Sequence, residues 1–229
     1  MTSSALQPHL TCRFSDPAGL TAGHPGDETY GWSCQAPGCP AGQRSYRVAC
    51  DAACAADAHE RAEALRLFEP GALAVFVGPA AAGKSRLASA FPTDWVVSLD
   101  DLRGRLAGDS GEQAVTPQAV QIQDLLVESR LERALNTVLD STNVEPAVRS
   151  RLVARAHRWG RPVVAVVFVT GLDVCLLRNA RRPANRKVPD EIVAWQSEQT
   201  TLSLPQLAGE GFTAIHTVGA SGRTGLTLS

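Results

Sequence analysis

Residues 72–85 read ALAVFVGPAAAGKS, and this stretch decides the fold class. It opens with an apolar run typical of a buried strand, and the residues after that run match the pattern G-x-x-x-x-G-K-[ST]. A helix is predicted to begin near Lys84, which completes the order of strand, glycine-rich loop and helix that the pattern requires. A chance Gly- and Ala-rich turn would not explain this order. We therefore expect a loop whose backbone amides cradle phosphate groups.

The chemistry of phosphate binding assigns a role to each position of this loop. The two glycines allow backbone angles that turn amide N–H groups inward. Lys84 reaches the β- and γ-phosphates of a nucleotide, and the Ser85 hydroxyl is a ligand for Mg²⁺. We expect ATP and Mg²⁺ as cofactors, with ATP contacted by Gly78, Pro79, Ala80, Ala81, Ala82, Gly83, Lys84, Ser85 and Arg86.

Strand and helix patterns alternate over the rest of the chain. Apolar runs predict strands at 72–77, 95–99, 137–140, 163–169 and 212–218, and helical patterns lie at 84–91, 116–136, 145–159, 172–180 and 190–203. This alternation predicts an α/β fold of the P-loop NTPase class, with a mostly parallel sheet flanked by helices. The segment Glu69-Pro70-Gly71 ends a helical pattern. It separates a Cys-rich module at 1–70 from a P-loop domain at 71–219, which a flexible tail at 220–229 follows.

The distribution of charge is uneven, although the net charge of the 229 residues is only −1. Residues 149–187 contain ten basic residues and one acidic residue, a net charge of +9. Such a segment suits a ligand that carries several phosphates, and it is equally typical of a solvated Arg-rich surface. The chain begins without a basic or apolar leader, and its longest apolar run is too short to span a bilayer. We therefore expect a soluble, cytoplasmic protein with no membrane partner.

A second polar constellation is SLDDLRG at residues 98–104, which follows a predicted strand. Open α/β sheets bind ligands at the carboxyl ends of their strands. A carboxylate there, at Asp100, can accept the proton of an attacking hydroxyl, and Arg103 can bind an anionic group of the substrate. The alternative is an aspartate that caps a helix beside a surface arginine.

Two further segments belong to the same predicted domain. In LDSTN, residues 139–143, the carboxylate of Asp140 can hold Mg²⁺ directly or through water, and Ser141, Thr142 or Asn143 can cap the next helix. In RNARRPANRK, residues 178–187, several arginines beside a proline predict a lid over the phosphates, where positive charge stabilises phosphoryl transfer. The alternative for this segment is a solvated basic loop.

These four motifs in this order resemble the kinase module of bacterial polynucleotide kinase–phosphatases, one of the P-loop polynucleotide 5′-kinases. The resemblance covers roughly residues 72–218. It implies that Asp100 is the general base acting on the acceptor 5′-hydroxyl, with Asp101 as the alternative one position along. It also implies that Arg103 binds the phosphate next to that hydroxyl.

The resemblance also implies roles around the nucleotide. Lys84 and Ser85 correspond to the phosphate-loop pair, while Arg86 stands where the family commonly has threonine. Asp140 and Asn143 correspond to a D-x-T-N element that supports the metal and the acceptor. The arginines that clamp the donor phosphates correspond to Arg178, Arg182 and Arg186.

Five of the six cysteines lie within the first 54 residues. The spacing of Cys34, Cys39, Cys50 and Cys54 fits a tetrahedral structural Zn²⁺ site, which would stabilise a segment with little core of its own. Other candidate ligands are Cys12, His24 and His59. The alternatives are buried free cysteines or, without a secretory signal, the weaker possibility of a disulfide.

The combined expectation is a P-loop kinase that moves the γ-phosphate of ATP to a hydroxyl. By resemblance, the acceptor is the single-stranded 5′ end of RNA or DNA. One rival is a kinase for a small nucleoside, sugar or antibiotic hydroxyl, because the acceptor pocket is separate from the donor site. The other is a nucleotide-binding scaffold protein without transferase activity.

Overall fold

The structure is a computed structural model that describes residues 69–219 and the backbone of two short N-terminal strands. The chain divides into two compact units, Met1–Glu63 and Ala64–Ser229. In the first unit, β1 (Leu20–Ala22) pairs antiparallel with β2 (Trp32–Cys34). Of the predicted zinc ligands, Cys34 is described by its backbone alone. The others lie outside the described residues, as do the alternatives: Cys39, Cys50, Cys54, Cys12, His24 and His59.

The second unit contains a five-stranded sheet in which every pair of neighbours is parallel. The order across the sheet is β4-β5-β3-β6-β7. This arrangement confirms the predicted α/β fold of the P-loop NTPase class. The strands are β3 (Leu73–Val77), β4 (Val96–Ser98), β5 (Thr137–Asp140), β6 (Val163–Phe168) and β7 (Ala214–Val218).

Helices connect the strands and cover the sheet. The predicted helices at 172–180 and 190–203 have the expected bounds, whereas the first helix is shorter than expected and ends at Ala88. No helix in the part of the chain that the structure describes is long and apolar enough to cross a membrane. The helices are α1 (Lys84–Ala88), α2 (Leu99–Ala107), α3 (Thr116–Glu132), α4 (Pro146–Arg158), α5 (Leu172–Ala180) and α6 (Asp190–Ser203).

The structure differs from the prediction most clearly at α2. The strand expected at 95–99 is limited to Val96–Ser98, and a helix begins directly at Leu99. The Ser98 side chain accepts the backbone N–H of Asp101, and two aspartates in the first turn interact favourably with the helix dipole. Asp100 therefore lies on the first turn of a helix rather than in a loop after a strand.

The two central strands are buried on both faces, as continuous apolar runs require. All five residues of β3 have zero exposure, and all six of β6 are buried. Their side chains alternate between two apolar clusters, one on each face of the sheet. On one face, the rings of Phe76 and Phe168 meet edge to face with their centroids 5.3 Å apart.

The position of β3 fixes where a ligand can bind. The chain passes from β3 to the edge strand β4, returns through β5 beside β3, and then continues on the other side of β3 with β6. A crevice forms outside the carboxyl ends of parallel strands at such a change of direction. The loops after β3 and β5 meet there, where the Gly78 N–H donates to the Thr142 carbonyl at 3.0 Å.

A fully buried arginine on α4 ties three segments together. Arg149 forms a two-pronged ion pair with Glu210, at 2.7 and 2.6 Å, and also donates to the hydroxyl of Ser203 on α6. Its remaining N–H groups donate to the carbonyls of Asn143 and Val144, which lie in the loop between β5 and α4. All five guanidinium donors therefore have acceptors.

The basic stretch 149–187 divides between residues that line the cavity described below and arginines that pair with acidic residues of the protein itself. Arg149 is buried in the ion pair with Glu210. Further along α4, Arg155 forms an ion pair with Asp124 of α3, and Arg158 forms one with Glu128. Three of the ten basic residues of this stretch are therefore paired with carboxylates of the protein itself.

Replacing Arg149 should test its structural role. In Arg149→Met, the carboxylate of Glu210 is left mostly buried and unpaired, so we expect the free energy of unfolding to fall by about 3–5 kcal/mol. Urea unfolding followed by circular dichroism measures this change. The control is Arg133→Ala, because the ion pair of Arg133 with Glu132 is exposed and worth about 0–1 kcal/mol. Equal losses in the two variants would contradict the role assigned to Arg149.

Candidate active site

The phosphate loop, residues 78–85, depends on two glycines for different reasons. A Cβ atom on Gly78 would lie 2.8 Å from the Cβ of Phe168, so only glycine allows the loop to approach β6 this closely. Gly83 has φ +109° at the position just before α1, where other residues would be strained. Ala81 also has a positive φ, +62°, although it carries a side chain. The surrounding contacts must therefore hold the loop in this conformation.

Those contacts come from both sides of the loop. The Lys84 ammonium donates to the carbonyls of Gly78 and Pro79, at 2.9 and 2.6 Å. Thr170, which follows β6, donates to the carbonyl of Ala82 at 2.9 Å. On the lid side, Arg178 of α5 lies 3.5 Å from the carbonyls of Ala81 and Ala82. Hydrogen bonds from Lys84, Thr170 and Arg178 thus hold the phosphate loop in its conformation.

Lys84 is buried, and its charge is costly for that reason. Burial lowers the pKa of Lys84 to about 8, although the nearby carboxylate of Asp140 opposes the shift. Burial also raises the pKa of Asp140, while a hydrogen bond from Ser85 and the charge of Lys84 act against that change. The three side chains therefore form one group at the carboxyl ends of β3 and β5.

The residues present fit a bound Mg²⁺ ion. The hydroxyl of Ser85 and the carboxylate of Asp140 are hydrogen-bonded neighbours, and both are oxygen ligands of the kind Mg²⁺ prefers. Mg²⁺ is usually held by one or two protein groups together with phosphates and water. Residues 69–219 contain no group of three or more His, Cys, Asp or Glu side chains able to hold a metal ion.

Asp100 lies between two arginines and lines the same cavity as the phosphate loop. Arg103, on the same helix, is buried and pairs with one carboxylate oxygen of Asp100. Its Nε donates to the Ser110 carbonyl at 3.0 Å. Arg186 of the lid donates to the other oxygen of Asp100 at 3.0 Å. Asp101 is exposed and does not line the cavity, so the structure places only Asp100 of the two candidate bases beside it.

Of the lid predicted at 178–187, residues 178–180 belong to α5, and the loop at 181–189, called the lid from here on, is fixed at its root and docked at its tip. At the root, the buried side chain of Asn179 donates to the Val188 carbonyl at 2.6 Å and accepts the Val188 N–H at 3.1 Å. At the tip, Asn185 donates to the carboxylate of Asp109 at 2.8 Å. The backbone of Asn185 lies so close to Gly111 that a Cβ on that glycine would be 1.8 Å from the Asn185 carbonyl oxygen.

Together these elements line a partly open cavity of about 780 Å³. Most of the predicted site residues line it: Ala80, Ala81, Gly83, Lys84, Ser85, Arg86, Asp100, Arg103, Asp140, Arg182 and Arg186. Burial and the neighbouring Arg186 lower the pKa of Arg182, while Asp100 and Asp140 raise it, which places Arg182 among these charges. Three positions of the loop backbone and two side chains of the prediction do not line the cavity: Gly78, Pro79, Ala82, Arg178 and Asn143.

Asn143 lies apart from the predicted acceptor site. It is buried, with φ +44°, and its amide donates to the Phe76 carbonyl of β3 at 2.8 Å and to the Ser141 carbonyl at 3.3 Å. Its side-chain donors therefore shape the loop between β5 and α4. This geometry supports a structural role for the asparagine, and does not bring it to the cavity.

Several cavity residues were not expected from the sequence. Ser110 and Gly111 come from the connection between α2 and α3, and Gln196 comes from α6. None belongs to a recognisable motif, because each is brought to the cavity by tertiary packing. Lys187 also lines the cavity. It could have been found from the sequence, because it is one of only two lysines in the chain and the other is Lys84.

The parallel sheet, the glycine loop between β3 and α1, and the Lys84–Ser85–Asp140 group define a P-loop protein of the α/β class. The AAA domain family matches residues 73–204, more than half of the chain. The chain therefore belongs to the AAA domain family. A search of curated protein sequences found no match.

Solved structures share this fold at low sequence identity. A chain of the PezAT chromosomal toxin–antitoxin system of the human pathogen Streptococcus pneumoniae is similar with a TM-score of 0.54 and 15% identity, over 75% of this chain and 79% of that chain. The AvrRxo1-ORF1:-ORF2 complex gives 0.51 at 16% identity, over 76% and 68%. The same complex with ATP gives 0.53 at 16%, over 72% and 61%. At these identities, the likeness shows the fold.

Nucleotide binding should be linked to protonation of Lys84. Since the pKa of Lys84 is about 8, much of its amine is neutral at a pH near 9. Phosphates beside Nζ favour the ammonium form, so binding of Mg·ADP at such a pH takes up protons, and affinity falls as the pH rises through this range. Titration calorimetry in two buffers of different ionisation enthalpy measures the uptake.

The control for this prediction is Lys84→Arg. A guanidinium remains protonated throughout the range, so the uptake should disappear in this variant. If the binding enthalpy of the wild-type protein does not depend on the buffer, the lowered pKa of Lys84 is contradicted.

The docking of the lid can be tested at Gly111. In Gly111→Ala, the new methyl group would collide with the backbone of Asn185, so the lid must leave its position on the α2–α3 connection. We expect faster tryptic cleavage after Arg181, Arg186 and Lys187, with mass spectrometry identifying the products. Gly209→Ala is the control, because a Cβ there meets no atom within 4 Å. Equal cleavage rates in the two variants would show that the lid does not depend on this contact.

Proposed function

We propose that the protein is an ATP-dependent kinase that transfers the γ-phosphoryl group to a hydroxyl whose carrier also holds an anionic group. The first acceptor to test is the 5′-hydroxyl end of RNA or DNA. The observation that carries the proposal is the position of Asp100, which lines the same cavity as Lys84 and lies between Arg103 and Arg186. The structure of the similar AvrRxo1 complex with ATP supports ATP as the donor.

The donor side of the cavity supplies charge and orientation. The backbone amides of the phosphate loop and the ammonium of Lys84 bind the β- and γ-phosphates. Ser85 and Asp140 would hold Mg²⁺, which would supply positive charge against the phosphate oxygens. Arg182 and Arg186 place further positive charge in the same cavity. They would stabilise the transferring group while its bond to ADP breaks.

The acceptor side supplies the base. The carboxylate of Asp100 takes the proton from the acceptor hydroxyl as its oxygen bonds to the γ-phosphorus, and ADP leaves with the electrons of the broken bond. In the structure, both oxygens of Asp100 are occupied by guanidinium groups. An anionic group on the acceptor can take over those arginines and release the carboxylate. This exchange is the reason for requiring a phosphate near the acceptor hydroxyl, as a nucleic acid provides.

A smaller acceptor is the second candidate, and one observation favours it. The lid is docked on the connection between α2 and α3 through Asn185 and Asp109, beside the cavity of about 780 Å³ that Asp100 lines. A small hydroxyl compound with its own phosphate fits under a closed lid, whereas a polynucleotide needs an open path past it.

The test is transfer of label from γ-³²P-ATP with Mg²⁺ to three acceptors that all carry a 5′-hydroxyl. These are an oligonucleotide, a nucleoside 3′-monophosphate and an unmodified nucleoside. Labelling of the oligonucleotide supports the nucleic-acid acceptor. Labelling of the monophosphate alone supports the small acceptor, and equal labelling of the unmodified nucleoside contradicts the need for a phosphate.

Asp100→Asn should lower kcat by about 10²–10⁴-fold, because the amide cannot accept the proton of the hydroxyl. Its matched control is Asp101→Asn, on the exposed side of the same helical turn, where we expect little change. Loss of activity in the second variant alone would reassign the base. Undiminished ATP binding with no transfer to any acceptor would instead support a nucleotide-binding scaffold.

A further inference from the structure

Gln196 on α6 contacts the phosphate loop from a distant part of the chain. Its Oε1 accepts the backbone N–H of Ala80 at 2.8 Å, across 116 residues of sequence, and its side chain lines the cavity. An N–H group requires an acceptor, so this bond also fixes which end of the amide is oxygen. The NH₂ group of Gln196 must then point away from Ala80.

The hydrogen-bond donors of that NH₂ group are unused in the structure. Among the residues that the structure describes, Nε2 of Gln196 donates no hydrogen bond. Gln196 is partly exposed, and it belongs to the wall of the cavity that also contains Lys84, Arg182 and Arg186. A ligand in this cavity can therefore meet the free donor.

The position along the loop indicates which part of a nucleotide this donor would meet. The Lys84 ammonium rests on the carbonyls of Gly78 and Pro79, immediately before Ala80. A lysine at this position of the motif reaches the β- and γ-phosphates. Gln196 and the Lys84 ammonium are therefore attached to the same end of the loop, the end that faces the terminal phosphates.

The helix that carries Gln196 is held at both ends. At its start, the buried Asn179 donates to the Asp190 side chain at 3.2 Å. At its end, Ser203 accepts from the buried Arg149 at 3.0 Å. A side chain on a helix fixed in this way can hold a donor in one place before the ligand arrives.

We propose that Gln196 is a phosphate-binding residue that serves two functions through one amide, an inference that rests on the proposed binding of ATP. Its Oε1 holds the phosphate loop through the Ala80 N–H. Its Nε2 donates a hydrogen bond to an oxygen of the γ-phosphate of the bound nucleoside triphosphate. Gln196 thereby contributes to the preference of the site for a triphosphate over a diphosphate.

Two substitutions separate these functions. Gln196→Glu keeps an oxygen for the Ala80 N–H but replaces the NH₂ donor by a second, negatively charged oxygen. Gln196→Met has similar length and neither polar function. The dissociation constants of Mg·ATP and Mg·ADP are measured by titration calorimetry on the full chain, with Mg·ADP serving as the ligand that lacks the γ-phosphate.

In Gln196→Glu we expect the dissociation constant of ATP to rise by about tenfold or more, the size of losing a hydrogen bond to a charged oxygen. The constant for ADP should change much less. In Gln196→Met we expect both constants to rise, because the loop has also lost its contact, with the larger rise for ATP. Gln199→Glu, the same change one turn along the helix, is the control for charge on α6 and should leave both constants unchanged.

An unchanged ratio of ATP to ADP affinity in both Gln196 variants overturns the proposal, and thermal unfolding shows whether each variant is folded. The outcomes also separate this proposal from the proposed function. If the wild-type protein binds ATP but phosphorylates no acceptor, the kinase assignment fails while the affinity ratio still decides the role of Gln196. If it binds neither nucleotide, both proposals fail.

Discussion

The buried ion pair between Arg149 and Glu210 is the interaction on which the geometry of the site depends. A buried guanidinium is tolerated only when its charge is paired and its N–H groups have acceptors, and here all five have them. Those acceptors belong to the segment after β5, to the end of α6 and to the residues before β7. The ion pair therefore fixes the loop that begins at Asp140 relative to the helix that carries Gln196.

Helix α6 transmits this constraint to the other ligand-binding segments. Its start is connected to the root of the lid through Asn179, its middle to the phosphate loop through Gln196, and its end to Arg149 through Ser203. A rigid helix sets the spacing between these contacts. The loop with Ala81 in a strained conformation can persist for this reason, since its surroundings determine its shape.

The features that the sequence predicted well are those encoded by local patterns. The apolar runs of β3 and β6, the phosphate loop and the bounds of α5 and α6 all follow from neighbouring residues. Helix α2 was not predicted, because the apolar run at 95–99 indicated a strand up to Leu99. In the structure, the side chain of Ser98 caps a helix that begins at Leu99. Arg149 was grouped with the basic stretch, and Gln196 was not singled out. Their partners lie 61 and 116 residues away and depend on the tertiary fold.

The positively charged side chains around the cavity already form hydrogen bonds or ion pairs within the protein. A negatively charged ligand must therefore compete with those partners. Lys84 rests on backbone carbonyls, whereas Arg103 and Arg186 rest on the carboxylate that the proposed reaction uses as base. Phosphates on the donor side would replace the carbonyls at Lys84 and attract Arg186, while Arg103 would stay on Asp100. In the proposed reaction, an anion on the acceptor side then competes with Asp100 for Arg103. Binding of the acceptor would thereby release the base, whereas water, which carries no charge, would not.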